Sequence, residues 1–346
     1  MSATAVIGLV YLVASLLFIF GLRALASPRT ARSGMHMAEI GMVLAIAGTL
    51  VNHEVVTFEW ILIGGVIGSV AGVAIAAWTP MTAMPQRTAL SHAFGALAAA
   101  LVGIAHYIEH GPTLETTQLV ALGFEVMFGS LTVTGSLMAF LKLQEWLPGR
   151  PITYRGQNIF NVSLFVAIAA LATWVVIDPT MTTAFFVMVG LATVFGVMLV
   201  LPIGAADMPV VITLLNSYAG LAASATGFAL GNNILIIAGA LDGASGLILS
   251  IIMCKAMNRS MTNVLFGAFG KAPDRATVGP ETRVVKSAST EDAASILDAA
   301  GSVIIVPGYG MAVSQAQHAV KKLADLLGKK GTDVRYAIHP VAGRMP

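Results

Sequence analysis

Apolar positions run in long unbroken stretches through the first three quarters of the chain, separated by short polar intervals. Nine windows stand out, near Ala5–Leu22, Met35–Val51, Trp60–Trp78, Ala83–Ile108, Gln118–Leu141, Phe160–Ile177, Thr183–Ile203, Pro209–Leu230 and Ile234–Met257. At about 1.5 Å per residue, such runs fit helices crossing about 30 Å of hydrocarbon, the second window being short and the fifth long. A bilayer core offers no water to backbone amides, so helices are the form these runs must take. After Met257 the pattern breaks. Residues 258–290 make a polar connector punctuated by Gly267, Gly270, Pro273, Gly279 and Pro280. A shorter periodicity follows over 291–346. It predicts a helix near Glu291–Ala300, an apolar strand Ser302–Val306, a glycine turn, an amphipathic helix over Ala312–Gly328 and a second strand Asp333–Ile338. Strand, turn, helix and strand make one βαβ unit.

Composition agrees with the pattern. With 57% hydrophobic and 10% charged residues and a mean hydropathy of +0.84, the chain is not a soluble globular protein. Its net charge of +2 is too small to imply a nucleic-acid partner. Arg23, Arg29, Arg32, Arg87, Lys142, Arg150 and Arg155 all follow the first, third and fifth windows, while the loops after the second, fourth, sixth and eighth hold no Lys or Arg. The positive-inside rule therefore predicts an N-terminus outside and a C-terminus inside. Ala24-Leu-Ala26 resembles a signal cleavage site, but the charge follows the apolar run, which points to a retained anchor. A single cysteine, Cys254, leaves no disulfide framework and no thiol cluster for a metal.

Small residues predict where helices touch: Gly64, Gly68 and Gly72 in the third window, Gly239, Gly243 and Gly246 in the ninth. Polar groups within the windows need a reason, since a charge at mid-bilayer costs about 2.5–3.5 kcal/mol even on the lenient insertion scale. His92 shares a face with Gly95, Ala96, Ala99 and Gly103, and Asn216 with Ala219, Gly220, Ala223 and Gly227, both about 10–14 Å from the cytoplasmic side. Glu125, on a face with Gly129, Thr132 and Ser136, and Asp242, between Gly239 and Ser245, lie about 10–12 Å from the outer side. The expectation is a carboxylate layer above an imidazole and amide layer, as rungs of a proton relay. The alternative for each group is a hydrogen bond that only pins two helices together. His36 and Glu39, one turn apart, read as an interfacial pair.

The glycine turn reads Val306-Pro-Gly308-Tyr309-Gly310-Met311-Ala312-Val313. Gly308 and Gly310 let the backbone turn tightly against a pyrophosphate, while the amides opening the next helix face the anion. Val313 stands where the common fingerprint has Gly or Ala. The second strand has no acidic residue at its tip for a ribose hydroxyl, and Arg344 follows closely, which favours a phosphorylated dinucleotide. The fold class expected is thus an α-helical membrane bundle of about nine transmembrane helices, N-out and C-in, over 1–257. It is followed by the connector 258–290 and a partial α/β Rossmann-like nucleotide-binding domain over 291–346.

Several stretches together resemble one family, the β subunit of the proton-translocating NAD(P) transhydrogenases of bacterial membranes. They are Ser91-His-Ala-Phe-Gly95, Gly204-Ala-Ala-Asp-Met-Pro209, Leu215-Asn-Ser-Tyr218, Ser250 through Ser260, Pro307 through Val313 and His339 through Pro346. The resemblance implies proton passage at His92 and Asn216 and coupling to the soluble domains through the loop of Asp207. It also implies an NADP(H) site that includes Gly308, Tyr309, Gly310, Met311, Ala312, Val313 and Arg344, with no metal. It further implies NAD(H) on a partner α subunit, a dimer of αβ units, and a place in the bacterial inner membrane with the C-terminal domain in the cytoplasm. In the family the nucleotide domain runs on for about a hundred residues beyond the point matching Pro346. The expectation is therefore weak or absent NADP(H) binding by these 346 residues alone. From the residues themselves, a secondary transporter or channel regulated by a nucleotide-binding domain remains open as an alternative.

Overall fold

Helix α1 (Ala3–Leu25) packs along α2 (Ala31–Leu50), and α3 (Glu59–Trp78) follows. Then come α4 (Met84–His110), α5 (Thr116–Leu143), α6 (Gln157–Ile177), α7 (Thr182–Val200), α8 (Met208–Leu230) and α9 (Asn233–Ala256). The computed structural model describes residues 3–51, 58–80, 83–257, 260–266, 289–308, 311 and 316–337. Among the described residues, nine helices are long and apolar enough to cross a membrane. The apolar windows predicted each of them, with ends shifted by no more than a few residues. The seventh window ran to Ile203, but α7 stops at Val200, just ahead of Pro202, which has no N–H for a helical ladder.

The centre of the bundle is α5. Most of its inward positions are buried, and it packs on α4, α6, α7 and α8. A reciprocal cap starts it: Glu115 accepts from the Gln118 turn while the Glu115 amide donates to Gln118 Oε1 at 3.2 Å. The α8–α9 hairpin is the closest seam. Gly231 takes the left-handed conformation (φ 66°) that ends α8, and Asn232 caps α9 by accepting from the Leu235 amide at 3.3 Å. Along that seam a Cβ on Gly220 would lie 2.2 Å from the Gly243 nitrogen, and one on Gly239 would lie 2.4 Å from the Ser224 nitrogen. The ninth-window glycines therefore mark a helix contact, as expected.

The third-window glycines do not. No residue of α3 is buried, and nothing lies within 4 Å of a Cβ built on Gly64, Gly68 or Gly72. Spacing alone cannot distinguish a contact within the chain from a face turned to lipid or to another chain.

Beyond the bundle, α10 (Met261–Phe266) is short and α11 (Thr290–Ala299) is capped by Ser289 and Asp292, whose carboxylate those bonds hold below its usual range. Strand β1 (Ser302–Ile305), helix α12 (Gln317–Lys329) and strand β2 (Asp333–Tyr336) complete the described part. The strands pair in parallel with Ser302 opposite Asp333 and Ile305 opposite Tyr336. A parallel pair joined through a helix is the predicted βαβ connection.

Candidate functional site

Three helices bring polar side chains together within the bundle. Asn216 Nδ2 on α8 donates to Asp242 Oδ1 on α9 at 3.2 Å. The glycine seam explains the pairing. Gly220 lies opposite Gly243, so Asp242, beside Gly243, sits one helical turn from the level of Asn216, an interval two side chains can close. Gly246 leaves room for the amide, because a Cβ there would lie 2.9 Å from Asn216 Nδ2. His92 on α4 is within Coulombic range of Asp242. His92 and Asn216 are half-buried. Asp242 is exposed at the edge of a cleft of about 350 Å³ that Phe18, Met42 and Leu235 also line.

Asp242 thus lies about one helical turn nearer the α8–α9 connection than Asn216, and the hydrogen bond joins the two levels directly.

Glu125 stands apart on α5, 1% exposed, with its carboxyl group against Gly103 of α4. A Cβ on Gly103 would lie 3.0 Å from Glu125 Oε1. Thr226 of α8 is within hydrogen-bonding reach of Glu125, and the Thr226 hydroxyl itself donates to the Ala222 carbonyl at 2.9 Å. Along the same α5 face Gly129, Thr132 and Ser136 are all buried, as the periodicity predicted. Glu125 Oε1, Thr132 Oγ1 and Ser136 Oγ are enclosed without a protein hydrogen-bond partner. Polar atoms so placed are the sort that ordered water satisfies.

Asp207 closes a short 3₁₀ turn (Ala205–Asp207) and occupies the N-cap position of α8, half-buried. The connection leading to it is tied down by Ala205 N donating to Gly149 O at 2.8 Å and Ile152 N donating to Leu201 O at 3.3 Å. Sequence reasoning missed a residue here. Lys142, counted above as a loop charge, is the penultimate residue of α5 and is fully buried. Its flanking residues, Leu141 and Leu143, were the available signal. His36 and Glu39 form the expected surface pair at 3.0 Å. On the opposite flank of the bundle the Thr180 hydroxyl and amide hold the exposed Asp178 carboxylate below its usual range.

At the glycine turn, Gly308 follows the end of β1, is exposed, and accepts from the Met311 amide at 3.1 Å. Among the described residues, no atom lies within 4 Å of a Cβ built on Gly308. Tyr309, Gly310, Ala312, Val313 and Arg344 lie outside the described residues, as does most of the connector. Among the described residues no group of three or more His, Cys, Asp or Glu could hold a metal ion.

The family described as NAD(P) transhydrogenase beta subunit matches residues 7–346. The chain is 47% identical over 345 residues to the NAD(P) transhydrogenase subunit beta of Rhodospirillum rubrum, an alignment that covers 97% of this chain and 74% of the relative. Identity and coverage are the same for the protein of that name from one designated strain of the species. All of α1 but its first turn, the other membrane helices, the βαβ unit and the glycine turn fall within the matched residues, and the chain belongs to the NAD(P) transhydrogenase beta subunit family.

Proposed function

We propose that this chain acts as the β subunit of a proton-translocating NAD(P) transhydrogenase, in which hydride passes between NAD(H) on an α subunit and NADP(H) on this chain as a proton crosses the bundle. Family membership supports the enzyme class. The observation that carries the proton route is the Asn216–Asp242 hydrogen bond, with His92 within Coulombic range, inside helices of membrane length.

In this reading His92 takes up and releases the proton, since an imidazole exchanges one near neutral pH without a large change of surroundings. The Asn216 amide, which both donates and accepts, orients the Asp242 carboxylate and any water beside it. Asp242 is the carboxylate within Coulombic range of His92. Glu125, with Thr132 and Ser136 below it on α5, forms the outer rung, and Asp207 transmits events in the bundle to the soluble unit.

The βαβ unit supports the nucleotide role. The exposed Gly308 and the Gly308–Met311 turn suit a diphosphate held on backbone amides. We assign Gly308 through Val313 to the pyrophosphate and Arg344 to the adenosine 2′-phosphate. When bound, NADP(H) supplies or accepts the hydride. The proposal also holds that 291–346 opens a Rossmann-like domain joined by the connector 258–290 to the bundle 1–257. It further places the N-terminus outside and the soluble unit in the cytoplasm of a bacterial inner membrane, in a dimer of αβ units.

The test is hydride exchange between NADPH and an NAD analogue in sealed vesicles containing this chain and its α partner, with a pH-sensitive dye reporting the lumen. The expected result is dye response and exchange together. Exchange with no dye response would sink the proton role.

A further inference from the structure

Lys142 is the one residue of α5 whose charge is fully enclosed at the end of the helix. Its side chain is 0% exposed, and Nζ donates to the backbone carbonyls of Val200 at 3.4 Å, of Leu201, and of Ile203 at 2.8 Å. Three acceptors use the three N–H bonds of an ammonium. Val200 is the last residue of α7, where carbonyls have no intrahelical partner and the helix dipole presents its negative end. No carboxylate among the described residues pairs with Lys142. Among the described residues, the cation is therefore matched to one conformation of residues 200–203.

Those residues open the connection between α7 and α8. Ile203 and Met208, on either side of residues 204–207, are buried in one apolar cluster with Cys254 of α9. Asp207 and then α8 with Asn216 follow directly. Moving residues 200–203 away would strip a buried ammonium of every acceptor, which is strongly unfavourable.

We infer that Lys142 is a positioning residue that latches the α7–α8 connection to the end of α5, and so fixes Asp207 and the part of α8 that carries Asn216. The functional consequence rests on the proton-coupled reading above. A coupled enzyme in sealed vesicles is slowed by the gradient it builds, and a protonophore relieves it. With a loosened connection, hydride transfer should no longer feel the gradient.

The test compares Lys142→Met and Lys142→Arg in the assembled complex, by protonophore stimulation and by maleimide labelling of Cys254, the only cysteine of this chain. For Met, stimulation is expected to vanish and labelling to rise about tenfold, the effect of about 1.4 kcal/mol on a local opening equilibrium. Arg keeps the charge and should retain both wild-type readouts. A merely structural loss would reduce the amount of enzyme while leaving the stimulation ratio of the remainder intact. If the Met chain does not insert, Lys142→Gln, neutral and with two donors, is read the same way. Wild-type stimulation and wild-type labelling in the neutral variant overturn the proposal. Absent stimulation in the unsubstituted complex would instead count against the proton-coupled reading, and the labelling arm would still decide the latch.

Discussion

The Asn216 amide and the Asp242 carboxylate meet at 3.2 Å across the α8–α9 seam, on helices whose backbones approach through Gly220, Gly243 and Gly246. The pair combines a group that can change its proton count with one that cannot. Which of the two carries the coupling is open to direct test by substitutions that separate hydrogen bonding from titration.

Asp242→Asn keeps the size and the acceptor oxygen for Asn216 but removes the proton-binding site. Coupled proton movement should fall by more than about tenfold, within the range general acid–base groups supply, while the chain still inserts. Dye response in sealed vesicles is the measurement. Full pumping by this variant would reduce Asp242 to a helix contact.

Replacing Asn216 by Leu leaves the Asp242 carboxylate without its donor. The expected outcome is a reduced coupled rate with normal membrane insertion, the lost hydrogen bond to a charged group being worth about 1.5–3 kcal/mol. An unchanged rate, measured by hydride exchange in vesicles, would show that the amide only holds the two helices together.

His92→Ala should abolish coupled proton movement, because His92 is the imidazole within Coulombic range of Asp242. The same dye assay checks it, and undiminished pumping would remove His92 from the route.

Gly220→Ala should lower stability by about 1–3 kcal/mol, since its Cβ would lie 2.2 Å from the Gly243 nitrogen and force the seam apart. Gly68→Ala on α3, where nothing lies within 4 Å, should stay within about 0.5 kcal/mol of the parent chain. Thermal unfolding in detergent distinguishes the two, and equal Tm losses would contradict the packing described.

Gly310→Val should abolish whatever NADP(H) binding the unsubstituted subunit shows in its complex, because a branched side chain would hold the turn off a pyrophosphate. Isothermal titration with NADPH measures it. Unchanged affinity would remove the turn from the nucleotide site.

Much of the architecture was legible because bilayer solvation acts on each helix separately. Apolar length alone located α1 through α9, and alternation of strand and helix periods located β1, α12 and β2. What escaped depended on relations between helices. The spacing of Gly64, Gly68 and Gly72 was as regular as that of Gly239 and Gly243, yet only the second set touches a neighbour within the chain. Depth along α9 gave no sign that Asp242 would reach Asn216 of α8 across one helical turn. Lys142 looked like a loop charge because the carbonyls that receive it lie about sixty residues further along the chain.

The Gly231–Asn232 turn joins α8 directly to α9, so Asn216 and Asp242 are only 26 residues apart in sequence. Loop closure over so short a distance is cheap, and a helical hairpin is a unit that can form as it enters the bilayer. The amide and carboxylate therefore belong to one local unit, whereas His92 comes from α4, more than a hundred residues earlier in the chain. The inner pair is a property of one hairpin, and the cluster's third member depends on the packing of α4 against α8.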